Sequence, residues 1–194
     1  MYINLFKIDN SSIFMFDVVI PNNNEEEFID MALLLGYSEI VFLTNNIRYE
    51  YKSGRIKICK AYLLKDTSEI KKARKSFDYM FASSGRNFFE SKVDFIIDAE
   101  KNDSRDSFHY RKTSLNQVHA KLCKENDIFV VFGFGSLLKV TSIPQLNVVL
   151  GRMMQNAVLI KKYKIKHESF SMASSPLMMR SRNLLDAFSR VIGL

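Results

Sequence analysis

The sequence is poor in the residues from which sites are most often built. Cysteine occurs twice in 194 residues, at Cys59 and Cys123. The two are too far apart for a CxxC zinc or redox motif and read as free thiols in a reducing compartment. Histidine occurs three times, as His109, His119 and His167, in different predicted elements and without an HxH, HExxH or Cys-His cluster. There is no GxGxxG after a strand and no GxSxG elbow. Gly133 and Gly135 are the one closely spaced glycine pair. No glycine-lysine-Ser/Thr phosphate loop follows them, and they read as permitting a bend at a strand end. No apolar run approaches the roughly 20 residues that span a bilayer. Lys7, Asp9 and Asp17 interrupt the first apolar stretch, and no small-residue cleavage site follows it. A soluble cytoplasmic protein with no membrane partner is expected. Repeats, low-complexity tracts and linkers are also missing, so residues 1–194 are expected to form one domain.

What is present is an ordinary globular composition, 47% hydrophobic and 25% charged. That excludes a disordered tail, a collagen-like repeat and a cysteine-stapled toxin. Charge is unevenly placed. Residues 1–50 carry two basic residues against eight acidic ones, whereas residues 51–194 hold 26 basic and 13 acidic residues, a net of +13. The last 44 residues hold eight basic and two acidic. This distribution fits either a polyanion partner on one side or a lysine-rich solvated surface.

Seven strand candidates alternate with helical patterns. Residues 14–20, 39–43, 56–64, 77–82, 93–97, 128–134 and 168–172 are apolar, β-branched or aromatic runs, as expected of buried strands. Helices are predicted over 24–35, 66–75, 87–91, 115–124 with Ser114 as cap, from Pro144 through the stripe Leu146, Val149, Leu150, Met153, Ala157 and Ile160, and over 181–192. Arg152, Lys161 and Lys162 fall outside that stripe. In the helix over 115–124, Leu115, Val118 and Leu122 share one face. In the last helix Leu184, Phe188, Val191 and Ile192 turn inward. Residues 102–113 read as a polar loop. Continuous apolar strands separated by helices imply a parallel sheet covered on both faces. The pattern leaves an open doubly wound sheet and a compact closed barrel equally open.

Two carboxylates sit in or after apolar strands. Asp17 and Asp98 read either as structural acids bonded to a loop or an arginine, or as catalytic or metal-binding acids at strand ends. With His109 and His167 they would make the metal site of a phosphodiester-cleaving barrel, the rival reading. A basic and polar constellation stands apart from these. Residues 109–114 (HYRKTS) lead into a helix, Ser174-Ser175 follow the last strand, and Arg180 and Arg182 flank the start of the last helix. Guanidinium forks and helix N-termini suit phosphodiester oxygens, and Phe108 and Tyr110 offer faces for a base.

The segments HYRKTSLNQVHAKLCKENDIFVVFGF (109–134), LGRMMQNAVLIKKYKI (150–165) and ASSPLMMRSRNLLDAFSRVIGL (173–194) carry a resemblance. Together with FDVVIP (16–21), LGYSEIVFLTN (35–45) and VDFIID (93–98), they resemble component 3 of archaeal ribonuclease P, its barrel-type protein subunit, in order along essentially the whole chain. The resemblance implies a TIM-barrel-like parallel α/β barrel of about seven strands, distantly related to metal-dependent phosphoesterases whose HxH motif is missing here. It further implies a subunit that supports the RNA which removes the 5′ leader of precursor tRNA. Cleavage would belong to that RNA, with Mg2+ held there and no cofactor or metal on this chain. The partners implied are the ribonuclease P RNA, precursor tRNA indirectly, and a second small α/β protein subunit.

Arg111, Lys112 and Asn116 match the family's loop-to-helix motif. Arg152, Asn156, Lys161 and Lys162 match its long helix, and Ser174, Ser175 and Arg180 its last loop. Thr113-Ser114 replace a serine-glycine pair common in the family. Arg182 stands where proline is common, and Asn183 where a basic residue is common. Arg111, Lys112, Asn116, Arg152, Lys161, Lys162, Ser174, Ser175, Arg180 and Arg182 are therefore the candidate RNA-binding residues, with no catalytic residue assigned.

Overall fold

A computed structural model describes residues 15–101, 106 and 110–194. Seven strands appear where apolar runs are longest: β1 (Phe16–Val19), β2 (Glu39–Thr44), β3 (Lys57–Leu64), β4 (Tyr79–Ser83), β5 (Phe95–Ile97), β6 (Phe129–Gly133) and β7 (His167–Phe170). They pair in sequence order, all parallel. Val19 then bridges Ala173 in parallel register, and the Ile20 N–H donates to the Ala173 carbonyl at 2.8 Å. The sheet thus closes on itself into a TIM-barrel-like α/β fold, and the open doubly wound alternative falls away.

Closure sorts the side chains by parity. Phe16, Val18, Val41, Leu43, Phe81, Phe95, Val131 and Phe170 form one buried cluster inside the ring. Phe81 stacks on Phe95 at 4.6 Å between centroids, Phe16 on Phe170 at 5.4 Å, and Phe95 meets Phe170 edge-on at 6.0 Å. Rings therefore fill the lumen, each worth about 2–3 kcal/mol of burial. The opposite parity packs beneath the helices in two further clusters.

The helices are α1 (Glu25–Leu34), α2 (Ile70–Ala73), α3 (Arg86–Phe89), α4 (Gln117–Glu125), α5 (Phe134–Leu138), α6 (Ile143–Tyr163) and α7 (Arg182–Val191). No helix among the described residues is long and apolar enough to cross a membrane. Three depart from the pattern reading. The helix expected over 66–75 splits into a 3-10 turn at Thr67–Glu69 and the short α2, with Asp66 accepting from the Ser68 N–H. Asn116, not Ser114, caps α4, accepting from the N–H groups of Val118 and His119 at 2.9 Å. Ala120 and Cys123 face inward, while Val118 is 62% exposed. In α7 the buried residues are Leu185 and Phe188, and Leu184 and Val191 lie outward.

Gly133 and Gly135 differ in what they do. Gly133 ends β6, and α5 begins at once. A methyl group on Gly135 would stand 2.7 Å from the Ser171 carbonyl oxygen, to which the Gly135 N–H donates at 2.8 Å. The glycine here serves close backbone approach between α5 and the end of β7.

Candidate nucleic-acid interface

The candidate residues fall in three places. The first is the segment entering α4. Asp106 organises it: one carboxylate oxygen accepts from the Lys112 N–H and from Arg152 Nε, both at 2.9 Å, and the other from Arg111 at 3.2 Å. Gln155 ties the same segment to α6, accepting from the Arg111 N–H at 2.9 Å and donating to its carbonyl at 2.6 Å. The Arg111 guanidinium lies across α6 at Gly151, where any Cβ would collide with it. Burial alone would raise the Asp106 pKa, but the Lys112 N–H and the two guanidinium groups hold it below the ordinary carboxylate value.

This arrangement sorts the candidates. Arg152 lies outside the apolar stripe in sequence, yet its side chain is only 7% exposed, because Asp106 receives it. It is a strut. Arg111 is 42% exposed and keeps part of its fork toward solvent. Asn116 spends its side-chain oxygen on the α4 cap.

The second place follows β7. Arg180 folds back on its own loop, donating to the carbonyls of Leu177 at 2.9 Å and Met179 at 2.8 Å, with its guanidinium 5.4 Å from the Phe134 ring. Ser174 bonds the Met178 sulfur, and Ser175 precedes the 3-10 turn Pro176–Met178. Arg182 is clamped between Glu168 at 2.7 Å and Asp186 at 2.6 Å. The third place is the far end of α6, where Lys161 and Lys162 are exposed beside the entry to β7.

The carboxylates of the rival metal site are dispersed. Asp17 points away from the lumen, into the seam between β1 and β7. Its Oδ1 accepts from the N–H groups of Ser171 at 2.7 Å and Val18 at 2.9 Å, and Oδ2 has no partner. Burial pushes its pKa up to about 6. Asp98 follows the C-terminal end of β5 and pairs with Lys101 at 2.9 Å, whereas His167 opens β7 at the opposite end of the barrel. His109 lies outside the described residues. Among the described residues no three His, Cys, Asp or Glu side chains converge as a metal site would require. Burial also lifts the Cys59 and Cys123 thiols to about 12, which leaves them protonated and poor nucleophiles. Among the described residues, Asp17, Asp98 and His167 are therefore not gathered into one metal-binding set.

Sequence reasoning missed Asp106. The signal available was an acid five residues before Arg111, but the third partner, Arg152, is 46 residues away.

No protein-family model matches this chain, and no curated protein matches it either. Solved structures do. A chain in the cryo-EM structure of archaeal ribonuclease P with mature tRNA superposes with a TM-score of 0.73 at 17% identity, covering 92% of this chain and 82% of that one. The crystal structure of an uncharacterized protein superposes with a TM-score of 0.50 at 8% identity, covering 90% of this chain and 69% of the other. At these identities the likeness is one of fold.

Proposed function

We propose that this chain is a protein subunit of a ribonuclease P: it binds and supports a catalytic RNA that removes the 5′ leader of precursor tRNA, and does not itself perform the cleavage. The observation that carries this reading is the superposition, over 92% of this chain and 82% of the other, on a chain in the structure of an archaeal ribonuclease P. The excess of 26 basic over 13 acidic residues after residue 50 supports it, since lysine and arginine offset the self-repulsion of packed phosphates. The ring-filled lumen and the dispersal of Asp17, Asp98 and His167 fit a barrel whose role is to bind. On this reading Mg2+ is held by the RNA, and a second small α/β protein subunit docks on the barrel.

Reconstitution of leader removal tests the proposal. Adding the chain to the ribonuclease P RNA and its other protein subunits should lower the magnesium concentration needed for cleavage. The chain alone should leave precursor tRNA intact. Cleavage by the isolated protein, or reconstitution indifferent to its presence, would overturn the reading.

A further inference from the structure

In a barrel of parallel strands, sites usually gather at the C-terminal strand ends. Here a cluster of exposed lysines lies at the other pole. α4 and α6 both end there, just before β6 and β7, and their last turns form the walls of a groove of about 330 Å3. Lys121, Lys124, Lys162 and Lys164 line it, with Glu125 as the lone acid and Tyr163 beside them. All four lysines are exposed. Among the described residues none of the four forms an ion pair, whereas the neighbouring Lys166 is neutralised by Asp127 at 2.7 Å. Lys162 lies 5.5 Å from the Tyr163 ring centre, which holds its ammonium over the groove wall. Lys71 and Lys72, in the last turn of α2, extend the charge along the same pole.

Helix dipoles account for part of this, because cations stabilise the C-terminal turn of any helix. The same holds for Lys164 at the C-cap of α6, whose backbone is noteworthy for another reason. That residue caps α6 in the left-handed conformation, φ 54° and ψ 51°, a place where glycine is the usual occupant because a Cβ is strained there. A lysine stands where a Cβ is strained, as Asn23, Asp98, Asp127 and Met172 do elsewhere among the described residues.

We propose that this groove is a docking site for the sugar-phosphate backbone of structured RNA, with Lys121, Lys124, Lys162 and Lys164 neutralising successive phosphates. The inference rests on the RNA-supporting role proposed above and assigns it a surface. The groove offers charge and one aromatic face but no fork aimed at a base edge, so recognition here is of backbone and shape rather than sequence.

The test compares the full chain with the variant K121Q/K124Q/K162Q/K164Q in filter binding to in vitro transcribed ribonuclease P RNA across a salt series. All four substitutions lie on the surface, and thermal melting by circular dichroism checks the fold. The quadruple variant is expected to bind at least 10-fold more weakly near 0.1 M salt, with the log–log salt slope reduced by about 3. A control at the opposite pole, K65Q/K139Q, should keep the parent slope to within about one. K164G should melt no lower than the parent yet bind more weakly. If the parent does not bind the RNA at all, the functional reading itself fails. If the parent binds and the quadruple variant matches it in affinity and slope, the groove assignment fails while the reading stands. Unchanged RNA binding with loss of co-elution of the other ribonuclease P protein subunits would mean that the groove serves a protein and would equally overturn it.

Discussion

Two aspartates show how one residue type serves different ends. Asp106 draws the segment entering α4 against α6 through Arg111, Arg152 and the Lys112 amide. Removing it leaves Arg152, 7% exposed, without its carboxylate. D106A is expected to cost about 2 kcal/mol, read as a lower urea midpoint, with proteolytic nicking around residues 106–112 appearing first. Asp17 works differently. It spans the seam to Ser171, and burial raises its pKa from 3.8 to about 6. The folded state thus holds this proton more tightly than the unfolded chain. Its stabilising contribution is complete below the ordinary carboxylate value and is lost as pH rises through about 6. D17N keeps the accepting oxygen and removes the buried charge. It should be more stable than the parent by roughly 1–3 kcal/mol at pH 7, a gap that closes on going to pH 4. Denaturant titrations of both proteins at several pH values check this, and the difference cancels the opposing titration of His167, whose pKa burial lowers.

At the scale of elements, α6 joins the two poles of the barrel. Its upper half receives Arg111 over Gly151, and its lower end presents Lys161 and Lys162. Alanine for glycine inside a helix ordinarily stabilises by about 1 kcal/mol. G151A is expected to forfeit that gain, because the new methyl group displaces the guanidinium, and its melting temperature should equal or fall below the parent's. G135A should be worse, losing roughly 1–3 kcal/mol through collision with the Ser171 carbonyl, visible as a lower melting temperature. Elements also show what the sequence made legible. Strands were readable because burial on both faces writes itself as unbroken apolar runs such as residues 128–132. The inward face of α4 was not, since Leu115 lies before the helix begins and the small Ala120 and Cys123, rather than Val118, fill its buried side. The burial of Arg152 was hidden for a different reason: its partner is distant in the chain. Of the candidate site, the basic character was plain from counting, but the groove depends on two helix ends meeting, which no local pattern records.

For the whole molecule, charge and packing divide the labour. The interior is committed to aromatic stacking, and polar chemistry is displaced to the outer faces and poles. The acidic first 50 residues contribute α1, whose first turn carries Glu25, Glu26 and Glu27, and this helix packs near the turn that follows β7. RNA should therefore protect the basic helices α4 and α6 from hydrogen exchange and leave α1 exchanging at its free rate. Equal protection of α1 would show that the acidic side faces the nucleic acid as well.

The seam between first and last strands has a consequence for how the chain is made. Its tie from Asp17 to Ser171 joins residues 154 positions apart, so β1 leaves the ribosome long before its neighbour exists. Until residues 171–173 emerge, two raw sheet borders stand open to any passing strand. A chain interrupted before that point is expected to sediment as aggregate rather than survive as a smaller folded unit.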